Sequence, residues 1–234
     1  MQKNKEESRF IISLGGSLIV PDEIDTKFLK GFKKVIELNL KKGRKFVIIT
    51  GGGRTSRRYS EAAKELGELN HWDLDWLGIH ATRLNAHLMR TLFRKHARSR
   101  IITNPYNKEE LKNGKHKIII AAGYKPGFST DFDAVILAKF YGIKSIVNLS
   151  NIDFVYDKDP KKFRSAKPIK QISWKDFRKL VGNKWDPGLN MPFDPVASKL
   201  AQKMGLKVVI MQGKNIKNLE KYLSGGKFKG TIIE

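Results

Sequence analysis

Cysteine is absent from the 234 residues, so disulfides and thiolate-based zinc sites are excluded. No run approaches the roughly 20 apolar residues that cross a bilayer, and the opening Met1 to Arg9 is charged where a secretory signal would be apolar. No Ser/Gly/Pro-rich linker, low-complexity tract or repeat divides the chain. These absences predict one soluble, cytoplasmic domain over 1–234, long enough to bury about 70% of the surface exposed on unfolding. Carboxylates are also scarce, with 23 Asp and Glu against 46 Lys and Arg and a net charge of +23. Such a charge favours anionic partners, nucleotides and nucleic acid among them, and bears on association rather than on fold. The lysines are spread over 27–45, 108–117, 158–184 and 199–229 instead of forming one block. That spread favours a solvated basic surface over a dedicated nucleic-acid footprint.

What is present is an alternation of short apolar runs and amphipathic stretches. Arg9 to Leu14, Phe46 to Ile49, Lys117 to Ala122, Ser145 to Leu149 and Val208 to Met211 read as buried strands, with Ile101-Ile102 as a further short one. Helical spacing is expected over Thr26 to Lys42, Ser56 to Leu66, Asp73 to Lys95, Asp131 to Tyr141, Trp174 to Val181, Pro195 to Met204 and Ile216 to Leu223. Strand and helix alternating in this way predict an α/β fold, a three-layer αβα sandwich around a mostly parallel sheet. Ligands of such sheets sit beyond the carboxyl ends of the strands, where the glycine-rich turns of this chain fall. On the long helix, Trp72, Trp76, Leu84 and Leu88 are expected to pack in the core, with a subunit interface as the other reading.

Those turns are the candidate chemistry. Gly15-Gly16-Ser17 follows the first strand without the Gly-Lys-Ser/Thr of a Walker A loop, and reads either as a phosphate cradle or as a tight turn. Gly51-Gly52-Gly53 lies between a strand and a helix, where backbone donors and the positive end of the helix dipole face an incoming anion. Of the arginines that follow, Arg57 is placed to curl back on the loop, while Arg54 and Arg58 fit a surface role. Gly123 to Asp131 supplies Ser129, Thr130 and Asp131 beside a helix start, where capping explains them as well as binding does. Ser150-Asn151 and Tyr156 to Pro160 form a polar, aromatic segment that fits an adenine site or a plain loop.

In this order the segments resemble the amino acid kinase superfamily, and within it the uridylate kinases of the archaeal type. The resemblance spans nearly the whole chain. It rests on Leu14 to Leu18, Thr50 to Gly53 with Arg57 and Tyr59, Asp75 to Ile79 with Ala81 to Ala86, and Pro126-Gly127 with Ser129 to Asp131. Asn151 to Asp153 with Tyr156 and Asp159-Pro160, Asp194-Pro195 with Ala197, and Gly230 to Ile232 complete it. It implies phosphoryl transfer from ATP to UMP with Mg²⁺, a UMP side over about 9–140 and an ATP side over about 141–234. It also implies assembly into a homohexamer, a trimer of dimers. Gly16, Arg57 and Asp131 are then expected at the reaction centre, Asp131 as the carboxylate that organises cations. Gly15, Gly16, Ser17, Gly53, Arg57, Ser150, Asn151, Tyr156 and Asp159 are expected on ATP. Gly52, Asp75, which would take the ribose hydroxyls, and Tyr124, Lys125, Pro126, Gly127, Phe128, Ser129 and Thr130 are expected on UMP. No side chain is assigned to a resident metal.

The loose transition state of phosphoryl transfer needs positioning and positive charge rather than a covalent nucleophile, so no histidine pair is required. Two departures stand out. Many members of the superfamily carry lysine where this chain has Ser13, a lysine that archaeal-type uridylate kinases also lack, and Lys158 and Lys161 are the candidate substitutes by position. Phe154 stands where the family usually has glycine. A kinase of another small phosphate or acid, and a nucleotide- or RNA-binding protein on the same scaffold, are the alternative readings.

Overall fold

The computed structural model describes residues 9–67, 70–112, 115–160, 162–182 and 191–234. In chain order these form β1 (Arg9–Leu14), α1 (Gly16–Ile19), α2 (Thr26–Lys41), β2 (Lys45–Thr50), α3 (Gly53–Leu66), α4 (His71–Leu92), α5 (Lys108–Leu111), β3 (Ile118–Ala121) and α6 (Thr130–Tyr141). They continue as β4 (Ser145–Ser150), β5 (Val155–Tyr156), β6 (Pro168–Ile169), β7 (Gln171–Ile172), α7 (Trp174–Val181), α8 (Pro195–Lys203), β8 (Lys207–Gln212), α9 (Ile216–Leu223) and β9 (Thr231–Ile233).

The strands join in the order β3-β2-β1-β4-β8-β9-β7, parallel from β3 through β8, with β9 antiparallel to β8. Strands buried on both faces have little need to alternate apolar with polar residues, which is why Phe46-Val-Ile-Ile49 and Ile118-Ile-Ile-Ala121 are continuously apolar. Their side chains still point to opposite faces in turn. Phe10, Ile12 and Leu14 of β1 enter a core with Phe28, Phe32 and Ile36 of α2, Met89 of α4 and Leu219 of α9. Ile11 enters the other core, with Ala134 and Val135 of α6, Phe177 of α7 and Ala197 of α8. Two apolar cores on the two faces of one sheet give the three layers.

The helices start where local chemistry dictates. Asp25, Asn70, Ser129, Ser173, Asp194 and Asn215 each accept a backbone N–H of the first turn that follows, and Asn70 with Asp73 completes a capping box. Three expectations need correction. Ile101-Ile102 is no strand: Ile102 makes only an isolated bridge to Ala121. The helix expected from Ser56 begins at Gly53, because Gly52 serves as its N-cap and the last glycine of the triplet belongs to the first turn. Trp72 and Leu84 do not pack in the core but are 58% and 64% exposed, while Leu88 packs against it. Among the described residues, no helix is long and apolar enough to cross a membrane.

Candidate active site

The parallel register brings the carboxyl ends of β1, β2, β3, β4 and β8 to one edge, and the backbone ladder runs on into the glycine loops. Gly15 donates to Leu149 O at 2.9 Å, Gly51 to Leu14 O at 2.9 Å and Gly213 to Ser150 O at 2.8 Å. The N–H groups of Gly15 and Gly51 are therefore engaged in the fold, which leaves the later donors of each loop for a ligand. Gly16 and Ser17 lie in the first turn of α1, and Gly53 in that of α3, where backbone N–H groups have no acceptor inside the helix.

The glycines also have a packing reason that spacing alone did not disclose. A Cβ on Gly16 would stand 2.1 Å from Gly53 N and 2.5 Å from Gly51 C, and one on Gly53, whose φ is +67°, would stand 2.3 Å from Gly16 O. The two loops thus touch backbone to backbone, and neither can carry a side chain at the contact. Asn85 of α4 secures the second loop by donating to Gly51 O at 2.8 Å and Gly52 O at 3.2 Å.

Beside the loops lies a carboxylate group. Asp131 accepts the Ser13 hydroxyl at 3.2 Å and the Asp194 N–H at 3.2 Å. Exclusion of water, and then the nearby Asp194 charge, push the Asp131 carboxyl up to about 7 against the lowering effect of those two hydrogen bonds. Asp133, 1% exposed, accepts the Tyr124 N–H at 3.1 Å through Oδ2, while its buried Oδ1 has no hydrogen-bond partner among the described residues. Burial pushes Asp133 up to about 8, opposed by the Tyr124 N–H and the Arg83 charge and reinforced by Asp131 and Asp194. Ser13, the residue in the family's lysine position, is buried and turned onto Asp131.

The structure brings Asp75 to the segment with which it was grouped: Gly127 N–H donates to Asp75 Oδ2 at 2.8 Å. Gly127 takes φ +83° with open space at its Cβ position, so here glycine serves the turn rather than a close approach. Tyr124, Phe128 and Phe132 form a chain of rings with centroids 6.0 and 4.9 Å apart, and the Lys125 ammonium lies 5.2 and 5.3 Å from the Tyr124 and Phe128 ring centres. Arg83 donates to Tyr124 O at 2.9 Å and sits over Trp76, and Thr82 Oγ1 accepts the Gly123 N–H at 2.8 Å. The Ser129 hydroxyl caps α6 through Phe132 N, the capping role open to it from its position, and Thr130 opens that helix.

Arg57 is exposed on α3 and makes no ion pair among the described residues, whereas Arg58 meets Asp22 at 2.7 Å and Arg54 approaches it at 3.9 Å. Ser150 and Asn151 lie at the end of β4, where Gln212 donates to Asn151 O at 2.9 Å. Tyr156 belongs to the separate β5–β6 ribbon, Pro126 to the turn before Gly127, and Asp159 O accepts the N–H groups of Lys162 and Phe163. Lys158 is exposed over the Phe163 ring, Phe154 is half-buried just before β5, and Lys161 lies outside the described residues. Reading by sequence missed Thr82, Arg83, Asn85 and Asp133. The first three stood in a quoted motif but without a task, because their partners are backbone atoms some 33 to 41 residues away.

Comparison with known proteins is consistent with this geometry. The model of the amino acid kinase family matches residues 8–212. The chain is 33% identical over 227 residues to the uridylate kinase of Thermoplasma acidophilum, covering 96% of each chain, and 32% identical to that of Pyrococcus abyssi, covering 97% of this chain and 99% of that one. The crystal structure of uridylate kinase from Archaeoglobus fulgidus superposes with a TM-score of 0.81 at 30% identity, over 96% of this chain and 99% of that one. UMP kinase from Bacillus anthracis, at 20% identity and a TM-score of 0.78, shares the fold. By the extent of these matches, this chain belongs to the amino acid kinase family.

Proposed function

We infer that the chain is a uridylate kinase, transferring the γ-phosphoryl group of ATP to UMP to give ADP and UDP. The observation that carries the reading is the pair of interlocked glycine loops at the carboxyl edge, flanked by Asp75 on one side and by the end of β4 on the other. Near full-length similarity to uridylate kinases supports the substrate assignment.

In this reading 1–234 works as one unit. The transferring phosphoryl group lies at Gly16 and Ser17, with Gly15 fixing their position through its bond to β4. Gly52, Gly53 and the free guanidinium of Arg57 take the phosphates where donor and acceptor meet. UMP rests against Tyr124 to Thr130, with its ribose at Asp75, and ATP extends over Ser150 and Asn151 toward Tyr156 and Asp159. In-line transfer then needs the two nucleotides held end to end and the charge of the loose transition state neutralised.

The residues fit a divalent cation held mainly by ATP. Among the described residues no group of three or more His, Cys, Asp or Glu could cage a metal. Mg²⁺, however, commonly needs only one or two carboxylates beside substrate phosphates. The Asp131 carboxyl, raised by burial and by Asp194, is the group that a cation would stabilise. When bound, Mg²⁺ would offset negative charge on the phosphates. Assembly into a hexamer, as a trimer of dimers, is part of this reading, supported by α3, which buries no residue, and by the exposed Trp72 and Leu84 on α4. The cytoplasm is the location it implies.

The test is ADP release from Mg²⁺-ATP with UMP, CMP, dUMP and AMP as parallel acceptors. A strong preference for UMP is expected. Folded protein that binds ATP yet turns over none of the four would overturn the assignment.

A further inference from the structure

The opposite edge of the sheet, where the parallel strands begin, carries a cleft of about 520 Å³ lined by Lys34, Glu37, Lys41, Lys95, His96 and Lys117, with Leu38 and Leu40 as apolar wall. Chain topology builds it. Lys41 ends α2, Lys95 and His96 follow α4, and Lys117 precedes β3, with Lys117 O accepting Phe46 N–H at 2.9 Å and His96 O accepting Ile118 N–H at 3.2 Å. All four lysines are exposed, and none makes an ion pair or side-chain hydrogen bond among the described residues. The one carboxylate of the cleft, Glu37, faces Lys33 at 3.8 Å.

The surrounding sequence supplies no counter-charge. From Trp76 to Thr130 the only acidic residues are Glu109 and Glu110. Glu109 is paired with Lys112 at 2.7 Å, and Glu110 accepts the N–H groups of Thr103 and Asn104 at 2.7 and 2.9 Å. Helix dipoles account for little of this arrangement, since they favour cations only in the last turn, by about 0.3–1 kcal/mol. Of the four lysines only Lys41 sits in such a turn; Lys34 lies well before the end of α2, and Lys117 follows no helix end. Like charges gathered in a concave site without partners raise the local potential and attract anions.

We propose that this cleft binds the phosphate backbone of nucleic acid, independently of the kinase site on the other edge. Lysines are point charges suited to phosphate rather than to base edges, and among the described residues no Phe, Tyr or Trp lines the cleft as a stacking platform, so binding is sequence-tolerant and electrostatic. This gives part of the +23 charge a location and a task. The proposal does not depend on the kinase reading and stands or falls separately.

The experiment follows the anisotropy of a fluorescein-labelled single-stranded RNA of mixed sequence, with the full chain, between about 50 and about 200 mM KCl. One variant combines Lys34→Gln, Lys41→Gln, Lys95→Gln and Lys117→Gln. A control removes the same charge elsewhere through Lys175→Gln, Lys199→Gln, Lys217→Gln and Lys227→Gln, all exposed positions. Wild type is expected to bind with a steep salt dependence. The cleft variant should lose at least about tenfold in affinity at the lower salt, with a slope shallower by about 3, at roughly 0.7 per phosphate contact for single strands. The control should stay near wild type, and kcat and KM for UMP should be the same in all three proteins. Equal losses in cleft and control variants would mean a diffuse basic surface and overturn the proposal. So would no RNA binding by wild type at the lower salt, or saturable binding of inorganic tripolyphosphate in its place.

Discussion

At the scale of single residues, the site depends on atoms that are missing as much as on those present. Gly16→Ala places a methyl group against the backbone of the second glycine loop, where nothing flexible can yield. Overpacking of this kind costs about 1–3 kcal/mol, and a displacement of about 1 Å at the reaction centre is enough to lower kcat about 100-fold. A folded Gly16→Ala protein with wild-type turnover would show that the loop contact is dispensable. Asp133 makes the complementary case, because its carboxyl oxygen holds Tyr124 N–H while Arg83 holds Tyr124 O. Asp133→Asn retains an acceptor and should keep KM for UMP near wild type. Asp133→Val removes it and should raise that KM roughly tenfold, the worth of about one buried hydrogen bond, with KM for ATP little changed. A rise of equal size for both nucleotides would point to general loosening. Neither effect was legible in the sequence: glycine spacing suggested a ligand without the loop-to-loop contact, and no motif or spacing singled out Asp133.

Elements were legible in proportion to their length and periodicity. Trp174 to Val181 and Ile216 to Leu223 were read to the residue, since cap and apolar stripe agree in both. The strands β5, β6, β7 and β9, of two or three residues each, escaped because such lengths hold no measurable period, and α1 escaped because one helical turn resembles a loop. Exposure on α4 escaped for another reason: spacing shows that a face is apolar but not what covers it. Leu84, at 64%, and Leu66 of α3, at 88%, stand out on elements that bury little apolar surface at those points. If this surface joins subunits, Leu84→Glu with Leu66→Glu should lower the mass measured by sedimentation equilibrium while leaving the circular dichroism spectrum intact. An unchanged mass would remove α3 and α4 from the interface.

For the molecule as a whole, Asp131 and Asp133 tie stability to pH. In the folded state they retain their protons up to about 7 and about 8, against 3.8 as the ordinary value. Between those limits the native state binds more protons than the unfolded chain, so these two groups make stability fall as pH rises, by on the order of 1 kcal/mol per pH unit for each carboxyl. Above pH about 8 their contribution to the slope ends. Thermal melting without nucleotide or divalent ions should therefore give a lower Tm at pH about 8 than at pH about 6, and Asp133→Asn should reduce the difference. A Tm that rises over this interval in the wild type, or a difference untouched by the variant, would contradict the assignment of burial as the dominant cause.

The route of the chain also sets a timetable. Among the described residues β7 has only β9 as its neighbour in the sheet, Val155 N–H is taken by Thr231 Oγ1, and Trp174 N–H is taken by Glu234 O. Thr231 reaches back across 62 residues to Ile169. During synthesis, at about 5–20 residues per second, β1 to β4 can assemble as they emerge, while the region from Val155 to Trp174 waits several seconds for partners made last. That interval leaves a strand edge open on the ribosome, and a stall in translation between the two segments would extend the exposure.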